Sequence, residues 1–386
     1  VDTTRTPPSI PFAASPRSSV GFEWEIALVD RDSGDLRQAA QTVLDAVRQP
    51  DGSEDPAIRQ ELLLNTVEIV SAPYATVGEA AADLHRNLER VVEIVDPLRV
   101  DLMSAGTHPF AQWSRQRVTD KERYATLIDR TQWWGRQMLI YGVHMHVGIE
   151  DRDKVLPIVR ALLAYIPHLQ SLSASSPYWG SEATGYASNR ALMFQQLPTA
   201  GLPCQFDQWS ELEHYVGDML HTGVIDVFSE IRWDIRPSPQ FGTVEVRVCD
   251  GLPTLLEVQA LGALVQCLVE DFSARLDAGE SLPTMPTWFV QENKWRSARY
   301  GMEAIIILDE AGNEELVTDA LPVLLARLEP AAARLGCLAE LEGVFRILEV
   351  GASYQRQRAV ADQNGGDLRA VVDSLVAEMK AGHPLA

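Results

Sequence analysis

The feature that most constrains this chain is the alternation in Gly21-Phe-Glu-Trp-Glu-Ile-Ala-Leu-Val29. The stretch is apolar, rich in aromatic and β-branched residues, and closed by the polar turn Asp30-Arg-Asp-Ser-Gly34, which is the pattern of a strand. Successive side chains on a strand point to opposite faces. Glu23 and Glu25 therefore share one face, and Phe22, Trp24 and Ile26 occupy the other. Two carboxylates two residues apart on a half-buried strand repel unless a cation lies between them, so a hard-cation site is one reading. The solvated face of an edge strand is the other, and the rest of the chain decides between them.

A second strand of the same kind is Tyr141-Gly-Val-His-Met-His-Val-Gly-Ile149, with His144 and His146 on one face and Val143, Met145 and Val147 on the other. Two same-face histidines beside an acidic strand strengthen the metal reading, and either imidazole could serve as a supporting or substrate contact instead. Ala57–Glu61 and Thr66–Ser71 read as the arms of a hairpin turning near Leu64-Asn65. On one continuous strand Glu61 and Glu68 would face opposite ways, whereas on two arms they can converge. Glu230–Arg236 and Thr243–Cys249 read as two further strands joined by the turn Pro237–Gly242. Arg232, Asp234 and Arg236 alternate with Trp233 and Ile235 on the first. Thr243, Glu245 and Arg247 alternate with Val244, Val246 and Val248 on the second. Acid and base interleaved in this way are costly to bury without ligands, and a structural ion-pair ladder is the plainer alternative. Glu23, Glu25, Glu68, His146 and Glu245, with Glu61 nearby, make an oxygen-rich set with one imidazole. Such a set suits Mg²⁺ or Mn²⁺ better than zinc, because no thiolate takes part. The arginines on neighbouring strand faces suit phosphoryl oxygens.

The remaining segments supply the frame. Thr76-Val-Gly-Glu79 and Thr254-Leu-Leu-Glu257 are capping boxes opening helices, and a third helix is expected over Asp153–Ser173 with a kink at Pro167. Ser173–Pro203 reads as a long functional loop rich in Ser, Gly and Pro, interrupted by Asn189–Leu197. His108 precedes Pro109 and so lies in extended or turn backbone. Asn293-Lys294-Trp295-Arg296 with Arg299 is a basic patch, either a solvated helix face or a receiver of polyphosphate. The expected architecture is α+β: an antiparallel sheet with a metal-binding floor on one face and helices packed on the other. Val1–Ser19 is expected to be a flexible arm and 20–386 a single domain. A net charge of −21 argues against duplex nucleic acid and anionic membranes as partners. No apolar run is expected to span a membrane. The four cysteines are scattered without a CxxC pair, which speaks against a zinc ribbon or disulfide framework and suits a reducing cytoplasm. Walker A, GxGxxG and GxSxG patterns are absent.

Several motifs together carry a resemblance. They are Val20-Gly-Phe-Glu-Trp-Glu25, Val67-Glu-Ile-Val70, Gly106-Thr-His-Pro-Phe110, Gly142-Val-His-Met-His-Val-Gly148, Ser173-Ala-Ser-Ser-Pro177, Asp234-Ile-Arg-Pro237, Gly242-Thr-Val-Glu-Val-Arg-Val-Cys-Asp250 and Asn293-Lys-Trp-Arg296. In this order the chain resembles the type 2 glutamate–cysteine ligases, or carboxylate–amine ligases, of the glutamine synthetase-like superfamily. The resemblance implies that superfamily's curved antiparallel sheet and an ATP-dependent ligase. The γ-carboxylate of glutamate would attack ATP to give an acyl phosphate, and an amine, cysteine in the type reaction, would displace phosphate. It implies metal ligation by Glu23, Glu25, Glu68, His146 and Glu245, with Glu61, and stabilisation of the transferred phosphate by Arg247 and Arg236. It further implies nucleotide contacts from Arg232, Lys294 and Arg296, substrate contacts from His108, His144 and Arg190, and a lid formed by Ser173–Pro203. ATP with Mg²⁺ or Mn²⁺ and small-molecule substrates follow, with the cytoplasm as the compartment and self-association left open. The motifs do not hold the amine specificity. The competing classes are a ligase for another carboxylate or amine, a guanidino-type phosphotransferase, a two-metal hydrolase, and a binding protein with a relic site. The intact acidic set argues against the last, and the arginines beside it favour ATP over plain hydrolysis.

Overall fold

The alternating strand lies at the centre of the fold in a computed structural model, which describes residues 8–385. In chain order the strands are β1 (Val20–Asp30), β2 (Ile58–Gln60), β3 (Thr66–Val70), β4 (Val100–Met103), β5 (Val143–Gly148), β6 (Tyr178–Trp179), β7 (Glu182–Ala183), β8 (Ile235–Ser238), β9 (Thr243–Val246), β10 (Ile305–Ile307) and β11 (Glu314–Leu316). β6–β7 and β10–β11 are separate hairpins. The other seven strands form one antiparallel sheet in the order β2-β3-β1-β5-β9-β8, with β4 beside the C-terminal half of β1. β1 is long enough to pair with three neighbours, β3 on one side and β5 then β4 on the other. The register sets Glu25 opposite Glu68, Glu23 opposite His144, His146 opposite Glu245, and Arg236 also opposite Glu245. The expected antiparallel α+β architecture is the observed one.

One sheet face is core. Phe22, Trp24, Ile26, Val67, Ile69, Met145, Val244 and Val246 are buried there with residues of the helices Val77–Val95 and Leu255–Asp277. Thr76 and Thr254 cap these helices by accepting from the amides of Glu79 and Glu257, as the capping boxes predict. Gly262 allows the second helix to lie flat on the sheet, since a Cβ there would come within 2.3 Å of the Phe22 ring. A smaller core on the far half of β1 packs Ala27, Val29, Met103 and Tyr141 with Val371, Val372 and Leu375 of the helix Leu368–Ala381.

Four expectations change. The predicted helix over 153–173 is two helices, Arg152–Leu162 and Ile166–Ser173, separated by a 3₁₀ turn. Pro167 sits in the first turn of the second, where its missing N–H is harmless. This run is long and apolar enough to cross a membrane, with a mean hydropathy of 1.3, contrary to the expectation of no such run, and it lies in the protein core. The strand expected over Glu230–Arg236 begins only at Ile235 and takes in Pro237 and Ser238, so Arg232 lies on the preceding loop. Of the expected flexible arm, residues 1–7 lie outside the described residues. From Ile10 onward the backbone is tied down: the Trp209 indole donates to the Ile10 carbonyl at 3.0 Å, Ala13 to Pro239 at 2.9 Å, and Arg17 pairs with Glu270 and Asp277.

Candidate active site

The face of the sheet opposite the core is charged from edge to edge. Arg59 stands on β2, Glu68 on β3, Glu23 and Glu25 on β1, His144 and His146 on β5, Glu245 on β9 with Arg247 just beyond it, and Arg236 on β8. Glu23, Glu25, Glu68, His144, Arg59, Arg236 and Arg247 line a cavity of about 680 Å³, joined by Glu61 from the end of β2. Glu245 is 1% exposed and lies in the floor. Two groups bring ligand atoms within 4.8 Å of one another: Glu23, His144 and Glu245, and Glu25, Glu68 and His144. His144 Nδ1 is 3.1 Å from Glu23 Oε2. His146 turns its Nδ1 to the Thr243 hydroxyl at 2.9 Å, with Nε2 3.7 Å from Glu23 and 3.9 Å from Glu245. The central histidine is thus His144 rather than His146, the reverse of the roles expected from the sequence. The two share a face, and alternation alone cannot rank them.

Charge compensation in the floor is uneven. Burial and the neighbouring Glu61 push Glu25 up to about 8. Burial, then Glu23, Glu61 and Glu25, raise Glu68 well above the usual range, and burial also raises Glu61. Glu23 goes the other way: burial opposes ionisation, but the His144 hydrogen bond and the nearby His146 outweigh it. Burial likewise opposes ionisation of Glu245, and Arg247 and Arg236 overcome it, holding the group well below the usual range. Burial and Arg247 lower His144 to about 4, so its imidazole is neutral at pH 7 and able to act as a ligand. The protein therefore neutralises Glu245 itself with Arg247 and Arg236 and steadies Glu23 through the His144 hydrogen bond, and leaves Glu25, Glu61 and Glu68 with more negative charge than its own cations meet. Hard oxygen donors around an uncompensated charge, with one neutral imidazole, fit a divalent cation such as Mg²⁺ or Mn²⁺.

The cations at the β8–β9 end are held firmly. Half-buried Arg247 pairs with Glu245, lies 3.4 Å from His144 Nδ1, and keeps a buried Nε without a partner. Arg236 donates Nε to Glu245 at 2.7 Å, and Arg232 donates to the Glu230 carbonyl at 2.9 Å on the cavity wall. Arg190 donates both Nη atoms to the Arg247 carbonyl at 3.2 Å and also keeps a buried, unpartnered Nε. It reaches this position because residue 142 is glycine, where a Cβ would lie 2.2 Å from Arg190 Nη2. Arg190 rides on the helix Asn189–Phe194, capped by Ser188. Buried Asp250 accepts from the Ser175 amide at 3.0 Å and from the Ser176 and Ser188 hydroxyls at 2.6 and 2.8 Å. The two ends of Ser173–Ser188, Ser173–Tyr178 and Ala187–Ser188, are thus buried and anchored, and only the β6–β7 hairpin between them reaches the surface, which limits the lid expected over Ser173–Pro203.

Three expected residues are not brought to the site. Lys294 pairs with Asp234 at 2.6 Å and lines a separate cavity of about 560 Å³. Arg296 pairs with Glu292 and Glu314. His108 is buried with Nε2 on the Gly34 carbonyl and Nδ1 accepting from the Ala111 amide, so it shapes a loop and lines no part of the cavity.

The roof is an element that sequence reasoning missed, the helix Glu122–Arg136. Tyr124 and Leu127 line the cavity, with Lys121 and Arg123 at the mouth. The Tyr124 hydroxyl donates to the Gln60 carbonyl at 3.3 Å. Burial lowers Arg232, and the charges of Arg247, Arg236 and Arg130 act in the same direction. Gln132 breaks it with φ 49° and ψ −118°. Only Tyr124 and Gly135 are buried, so no apolar stripe announced it. Arg59 was legible, because it shares strand parity with Glu61.

With this geometry in place, comparisons with known proteins agree with one another. The model of glutamate–cysteine ligase family 2 matches residues 19–374. A protein of Arthrobacter sp. (strain FB24), named "Putative glutamate–cysteine ligase 2-1", is 61% identical over 378 residues, covering 97% of this chain and 99% of its own. A protein of Mycobacterium tuberculosis (strain ATCC 25177 / H37Ra), named "Putative glutamate–cysteine ligase 2", is 58% identical over 375 residues, with 97% and 98% covered. The crystal structure of glutamate–cysteine ligase from Francisella tularensis in complex with AMP shares the fold at a TM-score of 0.68 and 13% identity, covering 94% of this chain and 89% of that one.

Proposed function

This chain belongs to glutamate–cysteine ligase family 2, and on that premise we propose that it is an ATP-dependent ligase. It joins the γ-carboxylate of glutamate to the amine of cysteine and yields ADP and phosphate through an acyl phosphate. The observation that carries this reading is the row of under-compensated acids beside Arg190 and Arg247, whose buried Nε groups have no partner. Glu23, His144 and Glu245 would hold one divalent ion, and Glu25, Glu68 and Glu61 another. Mg²⁺ bound there supplies neutralisation and alignment of the triphosphate.

The chain's own residues do the rest. Arg247, fixed by Glu245, stabilises negative charge on the transferred phosphoryl group, and Arg236 holds Glu245 from its other side. Arg190, which lines the cavity, places its positive charge beside the carboxylate of glutamate. Arg232 adds positive charge to the nucleotide end of the wall. The roof helix keeps water from the acyl phosphate. The acidic surface and unpaired cysteines suit action on small molecules in the cytoplasm.

The test is phosphate release from ATP–Mg²⁺ with glutamate, screened across amines. Release should require both the carboxylate and the amine, with cysteine the best of those tried. A different best amine would move the assignment within the ligase class. A phosphorylated guanidine in place of inorganic phosphate, or release indifferent to glutamate, would overturn the class.

A further inference from the structure

The motif that carries Glu245 and Arg247 ends on a carboxylate that the proposed chemistry leaves unused. Asp250 is 0% exposed and lines no part of the cavity. A carboxylate this deep is costly unless donors meet its oxygens. Oδ2 accepts from the Ser175 amide and from the Ser176 hydroxyl, and Oδ1 accepts from the Ser188 hydroxyl. The charge of Arg190 also favours its ionised form.

Two of these serines face both ways. Ser176 Oγ accepts from the Arg190 amide at 3.1 Å, and Ser188 Oγ accepts from the Ala191 amide at 3.1 Å. Both amides belong to the first turn of the helix Asn189–Phe194, where N–H groups have no partner within the helix. A hydroxyl has one proton and two lone pairs. With its proton given to Asp250, each serine turns a lone pair to the helix. One carboxylate therefore orients two hydroxyls, and the two hydroxyls set where the helix starts. The helix has six residues, too few to be stable by itself, so its position depends on this anchor. Arg190 sits at the end of the relay, and its guanidinium runs from there to the Arg247 carbonyl and the cavity. The surroundings leave no slack at either end. A Cβ at residue 106 would lie 2.4 Å from Asp250 Oδ2, and one at residue 142 would lie 2.2 Å from Arg190 Nη2.

We infer that Asp250 is a positioning residue: through Ser176 and Ser188 it sets the helix Asn189–Phe194 so that Arg190 meets the carboxylate of glutamate. This rests on the ligase reading above, in which Arg190 lies beside that carboxylate. Asp250 acts only through Arg190, so its loss belongs in the binding of glutamate and not in the chemical step.

The experiment is steady-state phosphate release with ATP–Mg²⁺, glutamate and cysteine. Asp250→Asn keeps the shape of the side chain and removes one acceptor. An NH₂ group cannot accept from a hydroxyl, so one serine proton loses its partner and one arm of the relay fails. KM for glutamate should rise ~10-fold or more, with kcat within about threefold and KM for ATP unchanged. Ser176→Ala and Ser188→Ala should act in the same direction, and they carry the test if Asp250→Asn does not fold. Ser188→Thr keeps the capping hydroxyl and should recover most of the effect. Arg190→Gln should raise KM for glutamate further. Asp250→Asn added to it should change that KM by less than about twofold, because the group it acts through is already gone. A variant that merely folds less well would lower kcat and leave KM where it was. An unchanged KM for glutamate in Asp250→Asn, or an effect that multiplies fully with that of Arg190→Gln, would overturn the inference. If wild type releases no phosphate with any amine, the ligase reading fails, and calorimetry with L-glutamate in the presence of ADP and Mg²⁺ still reads the placement of Arg190. Binding lost in both Arg190→Gln and Asp250→Asn sustains the role. Binding kept in Asp250→Asn, or absent from wild type, removes it.

Discussion

Glu25 faces Glu68 directly across the β1–β3 ladder, an arrangement that destabilises a sheet unless something lies between the two. Glu25 is pushed up to about 8, and Glu61 and Glu68 are raised in the same direction. Without a cation the folded chain therefore keeps protons that the unfolded chain, with carboxyls near their ordinary value of 4.5, has already released. Groups raised in this way contribute stability that is fully present below the unfolded value and is lost as pH rises through the folded one. Glu23 and Glu245 are held below the usual range, stay ionised through this window and add no slope. The loss is about 1.4 kcal/mol per pH unit for each group that titrates. Buried His108, His144 and His168, each lowered from 6.5 to about 4, work the other way until pH passes 6.5, so the metal-free protein should show a Tm that falls from about pH 6.5 to about pH 8, with Mg²⁺ raising it far more at the upper end. A flat metal-free profile, or a Mg²⁺ effect equal at both ends, would show that these carboxyls do not form the cation site. The acids themselves were legible because strand parity places them, whereas the ranking of His144 over His146 was not. That ranking depends on which ring turns to Thr243, a contact between two strands that alternation does not encode.

At the scale of elements, the roof and the supposed lid exchange roles. Ser173–Pro203 reads as a functional loop from its Ser, Gly and Pro content, yet the Ser176 and Ser188 hydroxyls are spent on buried Asp250, and Ser173–Tyr178 with Ala187–Ser188 is enclosed. The helix Glu122–Arg136 reads as nothing in particular, because its apolar stripe is short, Tyr124, Leu127 and Ile128, and its two tryptophans stay exposed, and it lies along the cavity while burying little of itself. An element with few buried apolar contacts opens at low free energy, and one tied through a buried carboxylate opens near the global limit. Amide exchange should therefore be slow in Ser173–Tyr178 and Ala187–Ser188 with or without ligands. It should be fast in Glu122–Arg136 alone and slow once ATP–Mg²⁺ and glutamate are added. Ligand-dependent protection confined to Ser173–Ser188 would restore the original lid. The elements with strong periodicity, such as β1, β5 and the two capped helices over the core, were legible because packing against one face imposes it. The roof was not, since its position is set by the cavity beneath it.

For the whole molecule, the sheet works as a platform on which charge is sorted by strand. Arginines occupy the β8–β9 end, acids and histidine the middle, and a second set of cations the β2 end. This order bears on which phosphorus is attacked. The under-compensated acids and Arg247 lie together, so charge stabilisation is concentrated where a terminal phosphoryl group meets a carboxylate over the middle strands. An adenylate mechanism would instead develop its charge at the α-phosphate and release pyrophosphate, which needs the strongest cations along the path of the leaving pyrophosphate. Attack by the carboxylate on the terminal phosphorus leaves a carboxylate oxygen bridging carbon and phosphorus, and amide formation then carries that oxygen away with phosphate. With ¹⁸O in the γ-carboxylate of glutamate, one labelled oxygen should therefore appear in inorganic phosphate for each amide formed, with ADP as the other product. ¹⁸O in AMP, with pyrophosphate formed in place of ADP and phosphate, would move the reacting centre to the α-phosphate. The sheet would then be read with the nucleotide advanced further across it.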